Sequence, residues 1–280
     1  APLVGPNRVM VQRGLQLLGG SQRLGIQALA SVSGLDKGKG DIGVREIAYR
    51  LAPRLNAAGR LGDAYPAFEL LTVNDAKRAR ELAQGLEETN RRRQDFQNRV
   101  LEAARQQVEW GEAGENVLVV DGEGWHPGVV GIVAAKLTEI YNRPAVVISI
   151  GEEGEGRGSA RSVRGVNLYH CIELARDHLL SFGGHEAAAG VVVRREAING
   201  LRKRLDVVVG EALKESKGED SLSVDACLPL SRVGLELMET IERLEPVGSG
   251  NPEPVFFSRG LKIRRSRVVG KDHLSVVLGE

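Results

Sequence analysis

Three valine-rich runs constrain this chain more than any other feature. They are Asn116 to Gly122 (NVLVVDG), Arg143 to Ile150 (RPAVVISI) and Ala189 to Arg195 (AGVVVRR). Each is short and nearly continuous in apolar residues, the pattern of a strand covered on both faces. The segments between them have helical spacing: Trp125 to Tyr141 (WHPGVVGIVAAKLTEIY), Asn167 to Leu180 (NLYHCIELARDHLL) and Glu196 to Leu213 (EAINGLRKRLDVVVGEAL). Asn167 is placed to cap the second of these. Strands alternating with helices predict an α/β domain over residues 112–215.

The flanks follow other patterns. Residues 7–33 and 42–72 read as short helices, with Pro53 interrupting the spacing set by Val44, Ile47, Ala48 and Leu51. A long helix is predicted from about Asp75 to Trp110, with Leu82, Leu86, Phe96, Val100, Ala103 and Val108 near helical period and Asn74 or Asp75 as cap. Its NRRRQ run and many Glu and Arg residues put most of its circumference in water, either as a plain solvated face or as a bridge between two lobes. After a polar linker (KESKGEDS), the last sixty or so residues read as strand, helix and strands, the start of a small β-rich module. Within it Arg259 to Lys271 is basic with no intervening acid. That run reads equally as a phosphate-tracking groove and as a sheet edge kept soluble by charge.

The chain's 280 residues suffice for about two domains. Its net charge of +1 excludes a global field for polyanions, so any such site is a local patch. Cys171 and Cys227 lie far apart and in no metal spacing, which suits free thiols in a reducing compartment. No apolar run approaches a membrane span and no signal peptide opens the chain. A first residue other than Met, and a last run (HLSVVLGE) with strand character, predict a piece of a longer protein.

Four polar stretches could carry chemistry. Gly156 to Ser162 (GRGSARS) puts Ser159 and Arg161 two apart, hence on one face of a strand. A guanidinium beside a hydroxyl is a phosphate or carboxylate clamp; the same stretch also suits a polar hairpin. Arg54 to Asp63 (RLNAAGRLGD) sets Arg54, Asn56 and Arg60 among small residues, which fits helix packing as well as a ligand. His126 follows a predicted strand and precedes a helix, where α/β folds place ligands. Phe182 to Gly190 (FGGHEAAAG) has no further metal-type residue at matching spacing from His185, which argues against a metal site. Gly183 and Gly184 there suggest a loop where backbone approaches a ligand, with His185 as a phosphate-facing donor.

These stretches resemble a known family. FGGHEAAAG is similar to the GGH-x-x-A-A-G signature of the DHHA1 domain, the substrate-binding half of DHH-superfamily phosphoesterases. PRLNAAGRL, GWHPGVVGIVA, NRPAVV, GSARS, FGGHEAAAG and GSGNPEPVF occur in the order found in RecJ-type exonucleases, which degrade single-stranded DNA 5′ to 3′. The resemblance covers nearly the whole chain. It implies the end of a DHH domain at 1–73, a connecting helix at 74–111, the DHHA1 substrate-binding domain at 112–215 and a partial OB-fold at 216–280.

The family's Asp-His-His motif and Asp-x-Asp pairs are missing from these 280 residues. The resemblance therefore implies that the two Mn2+ or Mg2+ ions, which activate the attacking water in that family, are held by an N-terminal domain before Ala1. No catalytic residue and no metal ligand is assigned within this chain, which alone is expected to be inactive. By the same resemblance, Ser159, Arg161 and Ser162 grip the 5′ end or its phosphates, with Arg54, Asn56 and Arg60 in the same cleft. His126, Gly183, Gly184 and His185 line it, and Lys262, Arg264, Arg265, Arg267 and Lys271 guide the strand. Single-stranded DNA is the implied partner, with a single-strand-binding protein or helicase beside it, in a monomer at repair sites in the bacterial cytoplasm. Two other functions fit in part: a compact DHH/DHHA1 phosphodiesterase acting on oligoribonucleotides or cyclic dinucleotides, and a non-catalytic single-strand-binding protein. The module after residue 220 argues against the first.

Overall fold

The computed structural model describes residues 2–35, 42–215, 222–270 and 273–280. It divides into two units. Arg23–Gly34 with Arg50–Glu219 form one, and Ala1–Gln22, Leu35–Tyr49 and Asp220–Glu280 form the other. No helix among the described residues is long and apolar enough to cross a membrane.

The N-terminal third is helical: α1 (Gly5–Gly19), α2 (Leu24–Val32), α3 (Val44–Glu46), a π turn at Ile47–Leu51, α4 (Ala52–Leu61) and α5 (Tyr65–Thr72). Pro53 does not end a helix as expected. It stands at the start of α4, directly after the π turn at Ile47–Leu51, where the helical hydrogen-bond pattern changes. Next comes α6 (Ala76–Glu109), the long helix of the sequence. Asp75 caps it by accepting from the Arg78 amide at 2.6 Å. In the larger unit, α2, α4 and α5 pack on α6 around Leu29, Leu70, Leu82 and Leu86, all buried. Gly25 is needed there, because a Cβ would fall 1.6 Å from the Leu70 carbonyl oxygen.

The α/β part runs β1 (Leu118–Glu123), α7 (Pro127–Tyr141), β2 (Ala145–Ile150), β3 (Glu155–Arg161), α8 (Leu168–Glu173), β4 (Ser181–His185), β5 (Ala188–Arg194) and α9 (Ile198–Glu215). These strands form one sheet in the order β1-β2-β3-β5-β4, parallel only between β1 and β2. Alternating side chains feed two cores. Val119, Val146, Ile148, Ala160, Val191 and Val193 pack with Leu201 and Leu205 of α9. Leu118, Val120 and Val147 pack with Val129, Val133 and Leu137 of α7, and with Val100 and Ala104 of α6.

FGGHEAAAG is therefore not a loop. It is an antiparallel hairpin of β4 and β5, with β4 at the sheet edge. Strand β5 follows the apolar pattern, since Val191 and Val193 alternate inward while Gly190 and Val192 do not.

The smaller unit holds α1, α3, the short parallel pair β6 (Ala226–Cys227) and β7 (Phe256–Phe257), α10 (Leu235–Glu242), and the hairpin of β8 (Lys262–Val269) with β9 (His273–Gly279). The expected strand from Pro254 onward is broken into β7 and β8 around Gly260, which has φ +70°. Among the described residues these strands form two separate two-stranded sheets and not a closed barrel. The GSGNPEPVF stretch is a turn pinned by Asn251, whose amide donates to the carbonyls of Leu244 and Pro246.

Candidate phosphate-binding site

Three elements meet around one cavity of about 400 Å³, lined by Gly59, Arg60, Gly128, Gly131, Ser159 and Arg161 among others. Each arrives for a local reason. Ala57 and Ala58 are fully or nearly fully buried, so α4 packs closely and presents Arg60 in its last turn. The first turn of α7 then rests on α4: a Cβ on Gly128 would stand 1.8 Å from the Arg60 carbonyl oxygen. Gly131, one turn on, faces Ser159 and Arg161, whose nearest atoms would lie 3.1 and 3.3 Å from an added Cβ. Ala160 points into the opposite core, so Ser159 and Arg161 share the α7 face of the sheet.

Polar contacts leave the site cationic. Arg161 donates from Nη1 to Ser159 Oγ at 2.9 Å and to the Ala160 carbonyl at 2.8 Å. One Ser159 lone pair is thus engaged, and among the described residues its O–H has no acceptor. Among the described residues Arg60 donates only to the Gly128 carbonyl, at 3.5 Å. Among the described residues neither Arg60 nor Arg161 has a carboxylate at ion-pair distance. Two guanidiniums and a hydroxyl donor beside a helix N-terminus form a site for an oxyanion.

His126 is the N-cap of α7. Its Nδ1 accepts from the Gly128 amide at 3.0 Å, which leaves the proton of a neutral ring on Nε2, and the ring stacks on Phe96 at 5.5 Å. It builds the cavity wall from behind and does not line the cavity.

The hairpin extends the site sideways. Register places Ser159, Gly190 and Gly183 in one row and Arg161, Ala188 and His185 in the next, all on one sheet face. On this face α7 packs over β1, β2 and β3, with its main contacts on β2 and β3. Gly183, Gly190 and His185 are left exposed on a shelf of nearly bare backbone beside the cationic cavity. His185 lies two strands from Arg161, about 10 Å away at ordinary strand spacing.

Four expected residues stand elsewhere. Gly184 pairs with Ala189, whose side chain enters the opposite core, so it lies on the sheet face away from Ser159 and Arg161. Arg54 is bonded to Glu87 at 2.5 Å and to the Arg50 carbonyl, so it fastens α4 to α6 and does not face the cavity. Asn56 is exposed and is not among the lining residues. Ser162 closes the turn after β3 through the Val166 carbonyl at 2.7 Å. Sequence reasoning missed Gly128, Gly131 and Arg157; the GVVG spacing on α7 was the available signal for the two glycines.

The basic run at the end of the chain is sorted by a bulge. Pairing passes from Ile263↔Leu278 to Arg265↔Val277, leaving Arg264 as the extra residue. Lys262, Arg265 and Arg267 consequently share one face with His273, while Ile263, Ser266 and Val268 take the other with Leu274, Val276 and Leu278. Arg264 turns along the strand end and donates to the Glu280 carbonyl at 2.6 Å. Lys271 lies outside the described residues.

Divalent metals do not fit the cavity. Among the described residues no three His, Cys, Asp or Glu side chains gather to hold a metal ion, and the cavity's own charges are positive.

Comparison with known proteins bears on the fold. Residues 114–211 match the DHHA1 domain and residues 224–280 the RecJ OB domain. The single-stranded-DNA-specific exonuclease RecJ of Bacillus subtilis is 36% identical over 99% of this chain, and that of Thermus thermophilus is 33% identical over 98%. The chain spans 35% and 39% of those two proteins' lengths, about a third to two fifths. A crystal structure of Thermus thermophilus RecJ in complex with Mg2+ superposes with a TM-score of 0.84 at 31% identity, over 99% of this chain and 42% of that one. The same protein in complex with Mn2+ gives an equal score, over 40% of that chain.

Proposed function

We propose, for a chain that carries a DHHA1 domain followed by a RecJ OB domain and belongs with the RecJ proteins over the part it spans, that it is the strand-holding portion of a single-stranded-DNA exonuclease. The observation that carries this reading is the cationic cavity of Arg60, Ser159 and Arg161, free of carboxylates among the described residues. It takes a phosphate at the 5′ end of the strand. The following nucleotides run across the bare shelf of Gly190, Gly183 and His185, where nothing bulky keeps a sugar–phosphate backbone at a distance. The basic face of the β8–β9 hairpin adds phosphate contacts that carry no sequence preference.

Hydrolysis needs groups this cavity does not contain. The relatives' structures hold Mg2+ or Mn2+. We assign metal binding and water activation to regions of those longer proteins with no counterpart in this chain. The RecJ OB match favours this reading over a compact oligoribonuclease or cyclic-dinucleotide phosphodiesterase.

The test uses the 280-residue chain with fluorescent single strands that carry or lack a 5′ phosphate, in the presence of Mn2+. Binding without cleavage is expected. Arg161→Ala should weaken the phosphorylated strand by about tenfold or more, the loss of a charge-assisted contact. Equal binding by both proteins would overturn the assignment of the cavity, and cleavage by this chain would overturn the division of labour.

A further inference from the structure

The inward stripe of α6 is apolar at Leu82, Ala83 and Leu86 and again at Val100 and Ala104, but polar in between. Asn90 and Gln97 are 3% and 5% exposed there, and between them stands Arg93, half-buried. The guanidinium is held from both sides, donating to Asn90 Oδ1 and to Gln97 Oε1, each at 2.7 Å. Both acceptors are neutral. A fixed, partly desolvated cation with no counter-charge is costly, and chains ordinarily supply an acid. This one does so for other arginines of α6: Glu87 takes Arg91, Glu69 of α5 takes Arg78, and Glu109 meets Arg105. Among the described residues Arg93 has none.

The charge that acts on Arg93 is that of another cation. Burial, and after it the nearby charge of Arg60, push the Arg93 guanidinium below its ordinary value. Arg60 belongs to α4, which packs on α6, and it lines the phosphate cavity. One turn beyond Arg93, Phe96 supports the His126 ring that caps α7 at the same cavity. The polar break in the stripe therefore falls where α6 passes behind the site.

We propose that Arg93 is a positioning residue of the phosphate site, a second guanidinium fixed behind Arg60 whose charge is balanced only when a phosphate occupies the cavity. It holds Arg60 forward and adds its own field to the attraction for the anion. Asn90 and Gln97 are neutral so that they clamp Arg93 without quenching it. Because the occupant is the phosphate assigned above, this inference rests on that reading.

Two variants of the full chain test it, with 5′-phosphorylated oligothymidylate as the probe and affinity measured across salt concentrations. Gln97→Glu keeps the shape of the clamp but places a carboxylate on Arg93. It should leave the fold intact and lower affinity by about tenfold, with a salt slope reduced by roughly 0.7, the value for one phosphate contact on a single strand. Arg93→Lys should retain the slope of the unaltered chain. A purely structural Arg93 predicts the reverse for Gln97→Glu: a firmer helix with unchanged affinity and slope, which would overturn the proposal. If Arg161→Ala abolishes binding while Gln97→Glu leaves it untouched, the role of Arg93 falls and the phosphate site stands. If neither change affects binding, both fall.

Discussion

Gly131 and Gly128 sit one turn apart on α7 and face the same cavity, yet they should respond oppositely to a methyl group. At Gly131 an added Cβ meets only the tips of Ser159 and Arg161, at 3.1 and 3.3 Å, while the helix gains a better former. Gly131→Ala should hold or raise the melting temperature, and should weaken binding of 5′-phosphorylated strands by filling the cavity. At Gly128 the obstacle is the Arg60 carbonyl oxygen at 1.8 Å, which no rotamer change can relieve. Gly128→Ala should cost about 3 kcal/mol or more, the scale of severe overpacking, read as a lowered melting temperature. Equal melting of the two variants would remove the idea that α4 and α7 are wedged together here. At this scale the sequence was readable where chemistry is local. Ser159 and Arg161 are two apart on a strand, and their shared face follows from spacing alone. Arg54 was not readable, because its fate depends on Glu87, distant in sequence and brought near by the packing of α4 on α6. Arg93 was hidden for the same reason: an arginine in a polar run gives no sign of whether an acid faces it.

Among the elements, α6 was legible almost to its ends because both the apolar period and the Asp75 cap are written locally. A second fastening at its start was not, since it joins different helices: Glu69 of α5 accepts from Arg78 Nε at 2.7 Å and from Nη2 at 2.9 Å. The hydrogen bond from Arg78, with its charge, holds the Glu69 carboxyl below its ordinary value and raises Arg78. A depressed carboxylate contributes stability above its unfolded value, and that contribution is lost as the pH falls through the folded one. The clasp should therefore be complete at neutral pH and disappear in the acid range below the ordinary carboxylate value. Glu69→Gln should flatten the dependence of unfolding on pH in that window and leave the neutral-to-basic side unchanged. An undiminished acid dependence would show that the clasp contributes nothing, the common fate of exposed pairs. The hairpins were less legible than α6. FGGHEAAAG carries glycines that suit a loop, and only pairing with β3 fixes β5 as an interior strand and β4 as an edge. The bulge at Arg264 depends on cross-strand register, which no single strand's sequence contains.

For the whole molecule the net charge of +1 decides how a polyanion can be held. A balanced chain exerts little long-range pull, so its salt dependence must come from the few phosphates it touches directly. The two cationic sites lie in different units: Arg60 and Arg161 in the larger, Lys262, Arg265 and Arg267 in the smaller. Their contributions should therefore separate. Replacing Lys262, Arg265 and Arg267 together by Gln should reduce the slope of log affinity against log salt by about 2, at roughly 0.7 per phosphate released. It should do so equally for strands with and without a 5′ phosphate, because these side chains meet the strand along its length. Arg161→Ala should change the slope less but erase most of the difference between the two strands. Arg264 provides the internal control: its guanidinium is engaged by the Glu280 carbonyl at 2.6 Å, and Arg264→Gln should move the slope little. If Arg264→Gln costs as much as Arg265→Gln, the Glu280 contact does not withhold Arg264 from the strand, and the run acts as an undifferentiated basic edge.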